Sequence, residues 1–432
     1  MRFEDYQDLD RASSPERTEV QGELLREHVR HCAENSPYYR RILGERGVAP
    51  QDVSPEAMDR LPLTGKDDLA GHNEDFLAVS SDDVVDIVFS SGTTGRPTRI
   101  AYTEGDLQRL AYNEHQSFVA AGMSCRDTVL LTCTIDRCFV AGLAYFLGVR
   151  SVGAAAIRSG HAPLQSHLEI ISRASPTVIV GVPSFLQKLA QVARREGMEP
   201  REMSVERLIC IGEPVRDRRL EFLPVGEAIA DLWGATVHST YASSEIVTTF
   251  CECTEERGGH LHPELGIVEI LDEKGDPVPP GEVGEVVVTP LGVEGMPLLR
   301  FRTGDLSFLV QDRCGCGRTS PRLGPILARK KQMIKFKGTT LYPQPIAAAL
   351  QSIPAVVEHY VEVYNEQSLS DEVKVHVAVD DPSWNAERVA EHLQSKLRVK
   401  PPVVVEPLAD LRERVFKPQS RKPIRFVDRR SS

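Results

Sequence analysis

Residues 88–100 read VFSSGTTGRPTRI: an apolar run ends in a cluster of Ser, Thr and Gly that a Pro closes. Read locally, this is a turn, because Gly92, Gly95 and Pro97 punctuate any chain and Ser and Thr favour turns through bonds to the backbone. The same composition suits a loop that cradles phosphate. Glycines let backbone N–H groups approach an anion without Cβ interference, and successive N–H groups form a concave nest. The hydroxyls of Ser90, Ser91, Thr93 and Thr94 add donors. GTTGRPT lacks the Gly-Lys-Ser/Thr ending of a Walker A loop. The rest of the chain has to decide between turn and cradle.

At 432 residues the chain is long enough for two domains or more. Hydrophobic residues make up 41% and charged residues 26%, ordinary values for a soluble globular protein. No window approaches 18 uninterrupted apolar residues, so no transmembrane helix is expected. The opening MRFEDYQDLDRASSPERTEV is acidic and polar, unlike a secretory signal. Net charge is −11, from 51 basic and 62 acidic residues, and no basic stripe stands out. Nucleic acid and membrane are therefore excluded as expected partners, and the cytoplasm is the expected location. Nine cysteines are too sparse for a disulfide scaffold. Five stand alone; Cys251 with Cys253 and Cys314 with Cys316 form two pairs.

Residues 15–45 read as amphipathic helix interrupted at Ser36-Pro37, and LPLTGKDDLAGH (61–72) as a turn with a helix start at Thr64. From 84 to 300, short apolar runs such as SPTVIVGVP and RLICIG alternate with helical stretches such as SFLQKLAQVARREG. That alternation predicts an α/β fold of layered parallel strands. Between 266 and 310 the texture changes to strands separated by Gly and Pro, predicting an antiparallel sheet or small barrel. The basic segment ARKKQMIKFKG (328–338) leads into a final hundred residues of mixed strands and helices. The expected organisation is a large N-terminal domain over 1–327, a hinge at 328–333 and a small α+β C-terminal domain over 334–432.

Four further stretches carry chemistry. ICIGEPV (209–215) ends a strand in Gly212, Glu213 and Pro214, a natural exit over a flat ligand. STYASSEIV (239–247) offers Tyr241, Ser244 and Glu245. LLRFRTGDL (298–306) sets Asp305 at an expected turn after a strand, and KPQSRKPIRFVD sets Lys422 before a last short strand. Taken in this order, these motifs resemble those of the adenylate-forming superfamily of acyl-CoA synthetases, adenylation domains and luciferases. SSGTTGRPT resembles its phosphate loop, YASSE its glutamate motif, RTGD its ribose motif and ARKKQMIKFKG its hinge motif. Lys422 stands where the family keeps a C-terminal catalytic lysine. Within the superfamily the likeness is closest to phenylacetate-CoA ligases: HCAENSPYYRRIL, LPLTGKDDL, Thr98 after SGTTGRP and the closing SRKPIRFVDRR all resemble theirs. The resemblance covers about residues 20–430.

It implies an AMP-forming ligase that activates an aryl or arylacetic acid with ATP and passes the acyl group to CoA. The alternative acceptors are a carrier-protein thiol or an amine, and a non-catalytic nucleotide-binding protein is a third reading. Ser90, Ser91, Gly92, Thr93, Thr94 and Gly95 would hold the outer phosphates. Glu245 would ligate Mg²⁺, since hard cations prefer carboxylate oxygen. Asp305 would accept from the ribose hydroxyls, with Gly212, Glu213, Pro214 and Tyr241 around the adenine and Ser244 also binding the nucleotide. Lys422 would bridge the attacking carboxylate and the α-phosphate, and Arg329 would contact ribose or phosphate. Lys331 occupies the family's hinge position, with Lys335 and Gly338 joining the site after the small domain rotates. Three departures stand out: Ala242 replaces the usual Gly, Ala328 opens the hinge motif, and Ser420-Arg421 precedes the lysine. Similar ligases are commonly homodimers. The acid pocket is expected from TIDRCFVAGLAYFLGV and WGATVHST.

FCECTEERGGHLH (250–262) and DRCGCGR (312–318) together offer four thiols and two imidazoles, the soft donors that zinc favours. By likeness to some phenylacetate-ligase relatives, Cys253, His260, Cys314 and Cys316 are the expected structural zinc ligands. Cys251 and His262 are the competing choices.

Overall fold

The computed structural model describes residues 3–6, 8–90, 98–136, 138–337, 339–364, 371–417 and 423–430. The chain forms two compact units, the larger built from residues 1–222 and 226–326 and the smaller mainly from 327–432.

The larger unit is organised by a six-stranded sheet. Its spatial order is Ala155–Arg158, Thr128–Leu131, Val178–Gly181, Arg207–Cys210, Thr236–Ser243 and Thr248–Cys251. The first five strands are parallel and the last is antiparallel. Strand side chains alternate between faces, and here both faces are covered. Leu130, Ile179 and Leu208 pack on one side against Leu168, Leu186, Leu189 and Trp233. Val129, Val180 and Ile209 pack on the other against Phe118, Tyr145 and Val149. This explains why these strands read as continuous apolar runs. In such open parallel sheets, ligands gather at the carboxyl ends of the strands. Gly212–Pro214 and Tyr241–Glu245 lie at those ends.

A second, antiparallel sheet joins Gly266–Leu271, Gly284–Pro290 and Phe301–Ser307. Two N-terminal helices, Ser14–Asn35 and Pro37–Arg46, pack on it. They break at Ser36 because its hydroxyl accepts from the Tyr39 N–H while Pro37 starts the next helix. Tyr39 then reaches the second sheet: its hydroxyl accepts from the Leu299 N–H at 2.8 Å and meets Thr64 Oγ1 at 3.0 Å. The helix after LPLTG begins at Lys66 rather than at Thr64, because Thr64 is held as a bridge to Phe301 and the Gly65 N–H donates to Asp68 Oδ2 at 2.8 Å.

The smaller unit is a four-stranded sheet in the order Val403–Val405, Glu372–Val379, Val356–Tyr364, Phe426–Asp428. Helices Pro343–Gln351 and Ala386–Leu397 bury Ile346, Leu350, Val389 and Leu393 against Val361, Val363, Val375 and Val377. Leu411 and Val415 cover Tyr360 and Ala378 on the other face. It is α+β, with a core of its own.

Candidate functional site

The opening stretch bridges two antiparallel strands, Asp86–Phe89 and Arg99–Tyr102. The Ser90 N–H donates to the Thr98 carbonyl at 3.0 Å, which brings the two ends of the loop together. Ser91, Gly92, Thr93, Thr94 and Gly95 lie outside the described residues, as do Gly338 and Lys422.

The hairpin of Thr236–Ser243 and Thr248–Cys251 carries the glutamate motif. Its turn is tight, with Val247 at a φ of 50°, a strained conformation for a β-branched residue. Arg109, fully buried on helix Glu104–Ala120, holds that turn. Its guanidinium donates to the Val247 and Leu265 carbonyls, to Thr248 Oγ1 at 3.0 Å and to the Leu291 carbonyl at 2.8 Å. Asn113, one turn on, pairs with both backbone groups of Thr249. The hairpin is thus bolted to a helix that carries no motif of its own.

Glu245 is buried and accepts from Ser243 Oγ at 2.5 Å. The Tyr102 hydroxyl donates to the Ser244 carbonyl at 3.0 Å, and burial pushes its pKa well above the usual tyrosine value. Lys66 Nζ stands 3.6 Å from Glu245 Oε1. Tyr102 and Lys66, from two separate segments, therefore meet the glutamate motif, Lys66 at the carboxylate itself.

Asp305 is not on a turn after a strand but within the strand Phe301–Ser307. Glu285 pairs with Leu306 and Val287 with Arg302, so this strand bulges through residues 303–305, with Gly304 at a φ of 78°. A bulge re-aims side chains. Here the Thr303 hydroxyl donates to the Val286 carbonyl at 2.8 Å, and Asp305 Oδ2 accepts from the Tyr241 hydroxyl at 2.8 Å. Tyr241 stacks on Phe250 at 6.4 Å between centroids. The two motifs, 64 residues apart, are one polar unit.

Gly212 adopts a φ of 74° as the chain leaves strand Arg207–Cys210, a conformation that favours glycine. The Glu213 carboxylate accepts from the Ser184 N–H at 3.0 Å and from Ser184 Oγ at 2.9 Å. It caps helix Pro183–Arg195, where negative charge is favoured, so its side chain serves the fold and its backbone borders the exit. Pro214 follows it and starts no helix. In the smaller unit, Arg329, Lys331 and Lys335 are exposed. The Lys335 backbone pairs with Asp371, whose Oδ2 also accepts from Arg430 at 2.8 Å.

The ligating atoms of Cys253, His260, Cys314 and Cys316 all lie within 4.8 Å of one another. Cys253 and Cys314 approach to 3.5 Å between sulfurs, and Cys316 Sγ lies 3.3 Å from His260 Nε2. A tetrahedral zinc with Zn–S of about 2.3 Å needs sulfurs roughly 3.8 Å apart, so the cage has the right size. His260 Nδ1 meets Ser320 Oγ at 3.2 Å, which orients the ring. Burial, with Arg318 and Arg322 nearby, pushes that imidazole down to about 3, leaving it neutral as a ligand must be. Cys251 instead accepts from Thr240 at 3.4 Å, and His262 is buried outside the cluster.

The spacing of the motifs could not reveal Lys66, Tyr102, Arg109 or Asn113. The only sequence signal for the last two was polar residues on the apolar face of an amphipathic helix.

Comparison with known proteins accords with this geometry. The AMP-binding enzyme family matches residues 18–293, and its C-terminal domain matches 338–430. The phenylacetate-coenzyme A ligase of Thermus thermophilus is 35% identical over 84% of this chain and 81% of its own length. That of Pseudomonas putida is 30% identical over 86% of each. A crystal structure of 2-hydroxyisobutyryl-CoA ligase in the postadenylation state, with R3-HIB-AMP, superposes with a TM-score of 0.85 at 22% identity, over 98% of this chain and 91% of the other. The fold is common to both. With family models spanning most of its length and relatives matched nearly end to end, the chain belongs to the AMP-binding, adenylate-forming enzymes, alongside the phenylacetate-CoA ligases.

Proposed function

We infer that this chain is an AMP-forming acid–CoA ligase. A carboxylate attacks the α-phosphorus of ATP to give acyl-AMP and pyrophosphate; a CoA thiol then attacks the acyl carbon and releases AMP. One observation carries the reading: the Tyr241–Asp305 bond unites two distant motifs beside a hairpin whose next carboxylate is Glu245. A phenol and a carboxylate at the carboxyl edge of a parallel sheet suit a nucleoside, with the carboxylate taking ribose hydroxyls.

The acid is aryl or arylacetic, a reading supported by the relatives named phenylacetate-CoA ligase. Displacement at phosphorus needs positioning and charge stabilisation more than covalent chemistry. The loop of Ser90 to Gly95 holds the outer phosphates through N–H and hydroxyl donors. Glu245, a buried carboxylate with one hydroxyl donor, suits Mg²⁺, which takes one or two carboxylates plus substrate phosphates. Bound there with nucleotide, such an ion would supply the main countercharge to pyrophosphate. Lys422 places a cation between the attacking carboxylate and the α-phosphate. Arg329 contacts ribose or phosphate, Lys331 sits in a hinge at 328–333, and Lys335 and Gly338 join the site once the smaller domain has rotated.

The thiol–imidazole cage holds structural zinc, tying the chain after the glutamate hairpin to the loop after the ribose strand. No two of the nine cysteines are joined in a disulfide, and the proposed location is the cytoplasm. Among the described residues no helix is long and apolar enough to cross a membrane.

The deciding experiment presents aromatic, arylacetic, aliphatic and amino acids with ATP and CoA, and measures AMP. AMP formation that requires both CoA and an aryl or arylacetic acid is the expected result. Silence across the whole panel would refute the reading.

A further inference from the structure

Lys66 lies in the LPLTGKDDL stretch, to which no chemical role has been given above. It begins the short helix Lys66–Gly71, and the two residues before it, Thr64 and Gly65, are held in place. Thr64 donates to the Arg300 carbonyl at 3.2 Å, and its own carbonyl accepts from the Arg302 N–H at 2.8 Å. Tyr39 holds the Thr64 hydroxyl, and Asp68 caps the Gly65 N–H. Four contacts thus aim one long side chain whose ammonium reaches the buried Glu245 at 3.6 Å. The lysine side chain is about one-third exposed and the glutamate 8% exposed. This is an ion pair at the mouth of a site, not a solvated surface pair.

A buried carboxylate without a cation is costly, and the same carboxylate is the one suited to Mg²⁺. Two cations cannot occupy one carboxylate at full strength. We propose that Lys66 is the resident counter-cation of Glu245, a positioning residue that competes with the divalent ion and so restricts metal binding to the metal–nucleotide complex. The proposal rests on Glu245 as metal ligand. Without nucleotide, Lys66 satisfies the carboxylate and keeps it aimed. When the nucleotide brings its metal, the ammonium yields the carboxylate and is left beside the incoming anion.

The test is calorimetric binding of a non-hydrolysable ATP analogue to the full chain across a Mg²⁺ titration, with no acid present. In Lys66→Gln, the Mg²⁺ concentration giving half the gain in affinity falls, on the order of tenfold for loss of a close competing charge. Lys66→Arg, which keeps the charge, stays within about twofold of the parent. In a Glu245→Gln background the effect of Lys66→Gln vanishes, because the competition acts through that carboxylate. A Lys66→Gln chain that binds the analogue more weakly at every Mg²⁺ concentration, with an unmoved midpoint, overturns the proposal and makes Lys66 a phosphate contact. A shift that persists without Glu245 overturns it too. If Glu245→Gln alone leaves the Mg²⁺ dependence unchanged, the assignment of the metal ligand falls, and the proposal with it; the ligase reading is tested separately by AMP formation.

Discussion

Glu114 makes a demanding test of the larger unit. It lies on helix Glu104–Ala120, 1% exposed, beneath the hairpin that carries Tyr241 and Glu245. Oε1 accepts from Thr249 Oγ1 at 2.5 Å, whereas Oε2 has no partner. Burial pushes its carboxyl up to about 8, from an ordinary value of 4.5, against the single bond from Thr249. The group is therefore protonated in the folded chain at neutral pH and ionised in the unfolded one. Below pH 4.5 both states hold the proton and the site is neutral to stability. Between the two pKa values the folded state binds more protons, so stability falls as pH rises; above about 8 the penalty is level. At ~1.4 kcal/mol per pH unit, the cost between pH 5 and pH 8 comes to roughly 3.5 kcal/mol.

Glu114→Gln keeps the acceptor for Thr249 and removes the proton equilibrium. Melting both proteins at pH 5, 6.5 and 8 by differential scanning calorimetry, and following the transition of the larger unit, isolates the term. The Gln variant gains on the parent as pH rises, by on the order of 5 °C at pH 8 relative to pH 5. A constant difference across the three pH values would refute the reasoning, because it would mean that Glu114 titrates alike in both states.

Asp305→Asn should raise KM for ATP roughly tenfold or more in pyrophosphate exchange, the scale of one charged hydrogen bond, and Tyr241→Phe, losing a single 2.8 Å bond to that carboxylate, should cost about 1.5–3 kcal/mol of stability. Freshly purified protein should hold one zinc per chain by metal analysis; Cys253→Ser should lose it and melt earlier, whereas Cys251→Ser should keep it. Lys422→Ala should lose adenylation by a factor of roughly 10²–10³, as for other charge-stabilising groups, yet still make thioester from supplied acyl-AMP; loss of both half-reactions alike would argue against its bridging role.

Much of the fold was legible because it is written in local spacing. Continuous apolar runs between helical periods specify parallel strands buried on both faces, and the six-stranded sheet has that character. Ser36-Pro37 marks its own helix break through a capping hydroxyl and a ring that cannot donate. The change of texture after residue 266 is the change from parallel to antiparallel pairing. The nucleotide motifs and the cysteine pairs were visible as residue types at fixed intervals.

Tertiary structure alone decided which of those groups meet. RTGD reads as a turn, since Gly commonly signals one; only the register against Glu285–Val287 makes it a bulge that aims Asp305 at Tyr241. Glu213 reads only as part of an exit bordering the adenine; the fold sets the helix start at Ser184 on its carboxylate. Lys66 meets Glu245, and Arg109 meets Val247, across more than a hundred residues. Periodicity is a property of neighbours along the chain, whereas a site is made by side chains that crossovers bring together, and no local interval encodes that distance.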